Sequence, residues 1–227
     1  MSVKLDQINQ LAEEISVCEA CSLHLARKKA VPGEGNVSTQ VMFIGEAPGA
    51  NENETGRPFV GQAGNFLNQL IQAAGLSRRE VFIANVVKCR PPSNRDPMTE
   101  ELTACAHFLN RQIEIIDPLV IVTLGRYSMA RYFPLERISQ IHGQGKWVNN
   151  RLIVPMFHPA AALHQPNLRP QLEKDFAMLP AYLEEAKRKR FPVVEEPAAE
   201  KKEETPAVQE EPRPQSFGGE AEQLSLF

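Results

Sequence analysis

The stretch Val41-Met42-Phe43-Ile44-Gly45-Glu46-Ala47-Pro48-Gly49 joins a continuous apolar run to a turn that carries a carboxylate and two glycines. A short run of apolar residues that includes Val and Ile predicts a β-strand buried on both faces, as in a parallel sheet. The two glycines allow the backbone of the turn to approach another group closely. We therefore expect the first strand to end at a place where a ligand can bind.

Three further apolar runs have the same character, and they occupy residues 81–87, 119–124 and 152–157. Between the runs, apolar residues recur at helical spacing. They do so over residues 62–74, where Gly75 predicts the C′ position, and over residues 99–116, where Thr99 predicts the N-cap.

Residues 5–15 and 168–190 predict two more helices, one near each end of the folded part. Strands that alternate with helices favour an α/β fold. We expect a three-layer α/β/α architecture with a four-stranded parallel sheet.

Composition divides the chain of 227 residues into unequal parts. After residue 191 Pro, Glu, Ala and Lys dominate, which predicts a disordered acidic linker over residues 192–222. From residue 192 on, nine Glu face three basic residues, a balance of −6, whereas residues 1–191 hold 22 basic and 19 acidic residues, a balance of +3. A mildly basic domain over residues 1–191 is compatible with nucleic acid but not diagnostic of it.

The chain shows neither an apolar run of membrane-spanning length nor the apolar core of a signal peptide near Met1. We therefore expect a cytoplasmic protein, without a membrane partner and monomeric. In that compartment cysteines serve as metal ligands or core thiols more often than as disulfides.

Polar side chains lie at or just beyond the ends of the four predicted strands, the second of which ends around Asn85. They are Glu46, Asn85, Arg126 (after Gly125) and His158. Ligands of open parallel sheets bind beyond the carboxyl ends of the strands. We expect Glu, Asn and His to converge on that edge.

The four cysteines, Cys18, Cys21, Cys89 and Cys105, form a second group. A Cys-x-x-Cys pair lets two thiolates from one turn bind one metal centre, and Cys89 and Cys105 follow the second strand closely enough to join it. The spacing favours an iron–sulfur cluster and a zinc ion about equally. Four unrelated buried thiols are the third interpretation.

Several motifs together resemble the family-4 uracil-DNA glycosylases of the uracil-DNA glycosylase superfamily. The matching stretches are Gly45-Glu46-Ala47-Pro48-Gly49, Thr55-Gly56-Arg57-Pro58-Phe59-Val60-Gly61, Asn85-Val86-Val87-Lys88-Cys89-Arg90-Pro91-Pro92 and His158-Pro159-Ala160. The resemblance implies a [4Fe–4S] cluster on the four cysteines and removal of uracil from DNA by hydrolysis, leaving an abasic site.

Carried over residue by residue, the resemblance implies that Phe59 stacks on a flipped uracil and that Asn85 binds its Watson–Crick edge. His158 would donate to uracil O2 as negative charge builds on the leaving base. Gly45 and Ala47 would line the base pocket.

The water-positioning residue is a point where the motif departs from the best-known branch of the superfamily. That branch has an Asp where this chain has Ala47, so Glu46 is the first candidate and Asn94 the second. Glu52 has two interpretations, either a group beside uracil C5 that excludes the thymine methyl or a solvated loop carboxylate.

We expect DNA to be bound by basic residues near the ends of the second and third strands. These are Lys88, Arg90, Arg95 and Arg126. Leu163 would be a wedge that fills the gap left by the flipped base, or else a core residue.

The segment Gln223-Leu224-Ser225-Leu226-Phe227 resembles the pentapeptide that binds bacterial sliding clamps. Leu224, Leu226 and Phe227 are apolar residues at the end of a polar tail, and Gln223 would supply polar contacts. A linker of about thirty residues would let the catalytic domain reach DNA while the peptide stays on the clamp. The motif also favours a bacterial source.

Two other functions remain open. One is a clamp-tethered iron–sulfur protein that binds DNA and senses redox state without catalysis. The other is a glycosylase for a different deaminated base, such as hypoxanthine.

Overall fold

A six-stranded mixed sheet organises residues 3–192, the part of the chain that the computed structural model describes. The strands are β1 (Glu34–Gly35), β2 (Val41–Gly45), β3 (Phe82–Asn85), β4 (Val120–Leu124), β5 (Lys146–Val148) and β6 (Arg151–Met156). Their order is β1-β3-β2-β4-β6-β5. The four central strands are parallel, and β1 and β5 add to the edges antiparallel.

Nine α-helices accompany the sheet in the described residues. They are α1 (Val3–Val17), α2 (Ala50–Thr55), α3 (Gln62–Ala73), α4 (Thr99–Ile116), α5 (Arg126–Ala130), α6 (Ile138–Ile141), α7 (Pro159–His164), α8 (Arg169–Ala177) and α9 (Leu179–Arg190). No helix of residues 3–192 is long and apolar enough to cross a bilayer.

Alternate residues of the central strands enter different cores. Phe43 and its same-face neighbours pack against α3, α8 and α9, whereas Met42 and Ile44 pack against α1 and α4. This alternation follows from the period of two in a strand. The predicted three-layer α/β/α architecture is therefore confirmed.

The four predicted strands are confirmed as β2, β3, β4 and β6, although β3 ends at Asn85 rather than at residue 87. Gly75 has a φ of +74° just beyond α3, as predicted for a C′ glycine. The single helix predicted over residues 168–190 is wrong. The chain forms α8 and α9 instead, because Pro180 in the first turn of α9 has no N–H to continue the ladder of α8.

The predicted N-cap at Thr99 is also wrong, since Met98 occupies that position and Thr99 is already helical. The buried carboxylate of Glu101 caps the helix by accepting a hydrogen bond from Met98 N at 2.8 Å. The same carboxylate takes a two-pronged ion pair from Arg95, at 2.6 and 2.9 Å, and a hydrogen bond from Ser22 Oγ at 3.3 Å. Glu101 thus joins the start of α4 to two loops.

The Arg95 ion pair lowers the pKa of Glu101 to about 2. A carboxyl with a depressed folded-state pKa stabilises the fold above its unfolded pKa, and this contribution is lost as the pH falls towards 2. We predict that Glu101→Gln lowers the free energy of unfolding at pH 7 by roughly 1–3 kcal/mol.

Urea denaturation of both proteins between pH 7 and pH 3 measures the effect. The difference should shrink below pH 4.5. Glu100→Gln, on the exposed side of the same turn, is the matched control. A difference that stays constant with pH would show that Glu101 does not act through its charge.

Candidate active site

The carboxyl ends of the parallel strands open into a cavity of about 400 Å³. Glu46 follows β2, Asn85 ends β3 and His158 follows β6, so the three strand-end residues meet as the sequence predicted. The lining residues are Glu46, Ala47, Pro48, Gly49, Glu52, Phe59, Ala63, Asn85, Pro91, Asn94, Arg95, His158, Ala160 and His164.

Asn85 forms the floor of the cavity. Its side chain is buried, and Oδ1 accepts no hydrogen bond from the described residues. A buried acceptor without a partner costs free energy, so Oδ1 is suited to a donor that arrives with a ligand. Gly45 pairs with Asn85 in the sheet, and a Cβ on Gly45 would lie 2.4 Å from this oxygen.

Phe59 supplies an aromatic wall. Its ring lies 5.5 Å from the His158 ring, centroid to centroid, with an interplanar angle of 27°. The backbone of Phe59 has a φ of +51°, a left-handed conformation that costs a non-glycine residue about 1–3 kcal/mol. A Cβ on Gly45 would also meet the Phe59 ring, at 2.6 Å from Cζ, so the cavity needs glycine at position 45.

His158 is the N-cap of α7, and its Nδ1 accepts a hydrogen bond from Ala160 N at 3.1 Å. Because Nδ1 accepts, the neutral ring carries its proton on Nε2. Burial lowers the pKa of His158 to about 4. At neutral pH the side chain is therefore an uncharged donor through Nε2.

Glu46 is the titratable carboxyl of the cavity. Burial, together with the negative charge of Asp96, raises its pKa to about 7, and the positive charge of Arg126 opposes this shift. Arg126 and Asp96 form an exposed ion pair beside it. A carboxyl that changes charge near neutral pH inside a cleft is a candidate for acid–base chemistry.

Glu52 is not a solvated loop carboxylate, so that interpretation is wrong. Its Oε1 accepts hydrogen bonds from Val60 N and Gly61 N, both at 2.9 Å, and its Oε2 accepts one from Gly49 N at 3.1 Å. The carboxylate holds the loop that carries Phe59 against the start of α2. A contact with a ligand stays a prediction.

Lys88 cannot contact DNA, and that prediction is wrong. The side chain is fully buried, and Nζ donates to the Asn85 carbonyl at 2.8 Å and to Gln112 Oε1 at 2.7 Å. Arg95 lines the cavity, but its guanidinium is engaged by Glu101.

Other predicted contact residues lie at or near the mouth of the cavity. Arg90 donates to Asn94 Oδ1 at 2.8 Å, and Arg126 is exposed and paired with Asp96. Leu163 on α7 is 44% exposed, which rules out the core interpretation. Its role as a wedge stays a prediction.

The four cysteines line a second, smaller cavity, which Lys88 also lines. Cys89 and Cys105 are buried, Cys18 and Cys21 are half-buried, and Arg27 Nη1 lies 3.6 Å from Cys89 Sγ. The four thiols therefore lie around one cavity, and the choice among a cluster, a zinc ion and four unrelated thiols stays a prediction. In the described part of the chain, no three His, Cys, Asp or Glu side chains are arranged to hold a single metal ion.

Sequence reasoning missed residues that act on this site from outside it. Arg78 donates to the Phe59 carbonyl, and Asp96 contributes to the electrostatics of Glu46. Neither follows a predicted strand or belongs to a quoted motif, so no local pattern marks them.

Comparison with known proteins gives a family model and relatives that agree with each other. The family model of the uracil DNA glycosylase superfamily matches residues 32–187. A type-4 uracil-DNA glycosylase of Sulfurisphaera tokodaii is 50% identical over 182 residues, which cover 76% of this chain and 83% of the relative. The type-4 enzyme of Thermotoga maritima is 46% identical over 156 residues, covering 67% and 81%.

A more distant relative is a type-5 uracil-DNA glycosylase of Thermus thermophilus. It is 37% identical over 116 residues, which cover 44% of this chain and 52% of the relative.

Proposed function

The chain belongs to the uracil-DNA glycosylase superfamily, with type-4 enzymes among its relatives, and we propose that it is a monofunctional glycosylase that hydrolyses the N-glycosidic bond of uracil in single- or double-stranded DNA. The resemblance predicted from the motifs is confirmed. Its activity is that of a DNA-repair hydrolase that excises uracil. The observation that carries the detailed proposal is the buried, unpartnered Asn85 Oδ1 beside Phe59 and His158.

Base recognition follows from the donor pattern of uracil. Its N3–H is a donor flanked by the O2 and O4 acceptors, so Asn85 can accept from N3–H through Oδ1 and donate to O4 through Nδ2. Cytosine N3 is unprotonated and is itself an acceptor, so it would face the acceptor Asn85 Oδ1 without a hydrogen bond. Phe59 offers a face on which the flipped base can stack.

Bond cleavage leaves positive charge on the sugar and negative charge on the base. His158 Nε2–H, aimed at uracil O2, would stabilise the negative charge. Because the ring is already neutral and fixed by Ala160 N, it donates without first reorganising.

Water activation is assigned to Glu46, with Asn94 as the second candidate. Glu46 lies in the cavity and is ionised in part at neutral pH. Within residues 3–192 no lysine lines the cavity, which supports attack by water over attack by an amine. Hydrolysis then leaves an abasic site.

Exclusion of thymine is assigned to the loop that Glu52 holds. Three backbone N–H groups bind its carboxylate, so the wall next to Ala47 and Gly49 cannot yield easily to an added methyl group. A small, rigid wall discriminates by steric exclusion.

We assign a [4Fe–4S] cluster to Cys18, Cys21, Cys89 and Cys105. The motif resemblance to the family-4 enzymes, whose cysteine pattern all four residues match, favours a cluster over a single zinc ion. A cluster of several iron atoms is wider and suits four thiols around one cavity. When bound, it would crosslink the segment after α1, the segment after β3 and α4.

DNA contacts are assigned to Arg90 and Arg126 at the rim and to Leu163 as the wedge. Arg126 and Leu163 are exposed, and Arg90 is partly exposed. A phosphate can compete with Asp96 or Asn94 for these guanidinium groups.

Recruitment to a bacterial sliding clamp is assigned to Gln223, Leu224, Leu226 and Phe227. These residues and the linker predicted before them lie outside the described residues, so the assignment rests on the sequence motif. A clamp partner would place the protein with the bacterial chromosome in the cytoplasm.

A non-catalytic redox sensor has less support, because such a protein has no need of an unpartnered Asn85 oxygen in a cavity. An assay on oligonucleotides that each contain one uracil, hypoxanthine, cytosine or thymine distinguishes a uracil glycosylase from one that prefers hypoxanthine.

We predict that His158→Ala and Asn85→Ala each lower single-turnover uracil release by about a hundred- to a thousand-fold. The first change removes the donor to O2, and the second removes recognition of N3–H. Single-turnover release from a uracil-containing oligonucleotide, single- or double-stranded, measures the effect.

The exposed residues His107 and Asn110 offer matched controls, since His107→Ala and Asn110→Ala should retain full activity. All variants should keep the iron content and brown colour of the wild-type protein. Full release by either pocket variant would remove that residue from the mechanism, and colourless, iron-free wild-type protein would remove the cluster.

The raised pKa of Glu46 generates a pH prediction. Water activation needs the carboxylate, so kcat/KM should rise with pH through about 7 and level off above it. Glu46→Gln should lose this rise and about a hundred-fold of the plateau rate, whereas Glu54→Gln on α2 should keep the wild-type profile. A Gln variant with an unchanged profile would show that Glu46 is not the group whose ionisation activates water.

For the tail, we predict that deleting residues 223–227 abolishes binding to a bacterial clamp and leaves uracil release from short DNA intact. Surface plasmon resonance on immobilised clamp and the oligonucleotide assay measure the two properties separately. Unchanged clamp affinity after the deletion would disprove the assignment.

A further inference from the structure

Arg78 places a half-buried guanidinium behind the aromatic wall of the cavity. It lies between α3 and β3, with 22% of its side chain exposed. Nη2 donates to the Pro58 carbonyl at 2.6 Å, and Nη1 donates to the Phe59 carbonyl at 3.2 Å and to Asn68 Oδ1 at 3.0 Å. Arg78 is absent from the cavity lining, so it can act on a bound base only through the residues that it holds, and of these Phe59 lines the cavity.

The guanidinium is itself held by Glu34 on the edge strand β1. Arg78 Nε lies 3.6 Å from Glu34 Oε1, and Arg57 binds the same carboxylate through two hydrogen bonds, at 2.6 and 2.9 Å. Anchors on β1 and α3 thus fix the direction in which the Arg78 fork points.

The peptide that Arg78 holds is the strained one. Phe59 has a φ of +51°, and such a conformation persists in a non-glycine residue only where several contacts enforce it. On the helix side, a Cβ at Gly64 would lie 1.9 Å from the Phe59 carbonyl oxygen, so α3 packs directly on this peptide. Arg78 holds the same oxygen by a hydrogen bond.

The three acceptors, two adjacent backbone carbonyls and the Asn68 amide oxygen, suit the planar arginine guanidinium, which has several donors in fixed directions. Lysine carries the same charge as a single point at the end of a chain that rotates freely, so it cannot reproduce this arrangement.

We propose that Arg78 is a positioning residue of the glycosylase, which fixes the backbone of Phe59 so that its ring presents a face to the flipped base. The proposal rests on the assigned role of Phe59 in stacking. Loss of the fork lets the Pro58–Phe59 segment relax and turns the ring away from the base. We therefore expect the substitution to lower kcat more than it raises KM, because the DNA contacts at the rim are unchanged.

The test compares single-turnover uracil release by the wild-type protein, Arg78→Ala, Arg78→Lys, Phe59→Ala and the Arg78→Ala/Phe59→Ala double variant. We expect Arg78→Ala and Arg78→Lys each to lose about ten- to a hundred-fold, because a misplacement of about 1 Å costs on that order. The exposed neighbour Arg79 gives the matched control, and Arg79→Ala should stay within about two-fold of wild type.

The double variant distinguishes a positioning role from a purely structural one. In a purely structural role, the loss from Arg78→Ala would add to the loss from Phe59→Ala. If Arg78 acts through Phe59, the double variant is no slower than Phe59→Ala alone. Losses that multiply in the double variant, or full activity in Arg78→Lys, would overturn the proposal. Thermal melting shows which variants are folded. If Arg78→Ala melts at a much lower temperature than the wild type, Arg78→Lys replaces it in the comparison.

Failure of the underlying assignment has a different signature. Full activity in Phe59→Ala would show that Phe59 does not stack on the base, whatever Arg78 does. Full activity in Arg78→Ala together with a strong loss in Phe59→Ala would overturn the Arg78 proposal alone.

Discussion

The hydrogen bond from the buried Lys88 ammonium to the Asn85 carbonyl connects the two halves of this site. Asn85 faces the base cavity, and Cys89, one residue beyond Lys88, faces the cysteine cavity. Burial lowers the pKa of Lys88 to about 8, so the group still carries its charge at neutral pH and needs strong acceptors. Asn85 and Gln112 provide them, and Gln112 in turn binds the Pro32 carbonyl. The same interior contacts therefore fix the short segment that runs from Asn85 in the first cavity to Cys89 in the second.

The cavity owes its chemistry to burial. Desolvation keeps His158 neutral and Glu46 near its midpoint of ionisation, while Asn85 Oδ1 stays without a partner. In water each of these groups would be solvated or differently charged. Inside a protein, where the effective dielectric constant is lower than in water, a neutral donor and an unpaired acceptor act strongly on a ligand that matches them. Under the proposed function, the same surroundings that cost folding free energy provide selectivity for an imide edge.

The sequence predicted best those features that follow from burial along a strand. Continuous apolar runs identified the four central strands, and the residues after them identified Glu46, Asn85 and His158. The edge strands β1 and β5 were not predicted, because two or three half-exposed residues are too few to show a periodic pattern. Lys88 was misassigned because a lysine beside a basic motif looks exposed, and only tertiary packing buries it. Backbone carbonyls carry no sequence signature, so the partners of Arg78 could not be predicted.

The loop that carries Phe59 is held by two charged side chains that bind backbone rather than each other. Glu52 takes three N–H groups on the cavity side, and Arg78 takes two carbonyls on the outside. A loop left to itself would relax from the positive φ of Phe59, and the entering base would then have to restore it. Because both sides are already bonded, that reorganisation is completed during folding. Under the proposed function, the binding energy of the base can then offset the few kcal/mol that unstacking it from DNA costs.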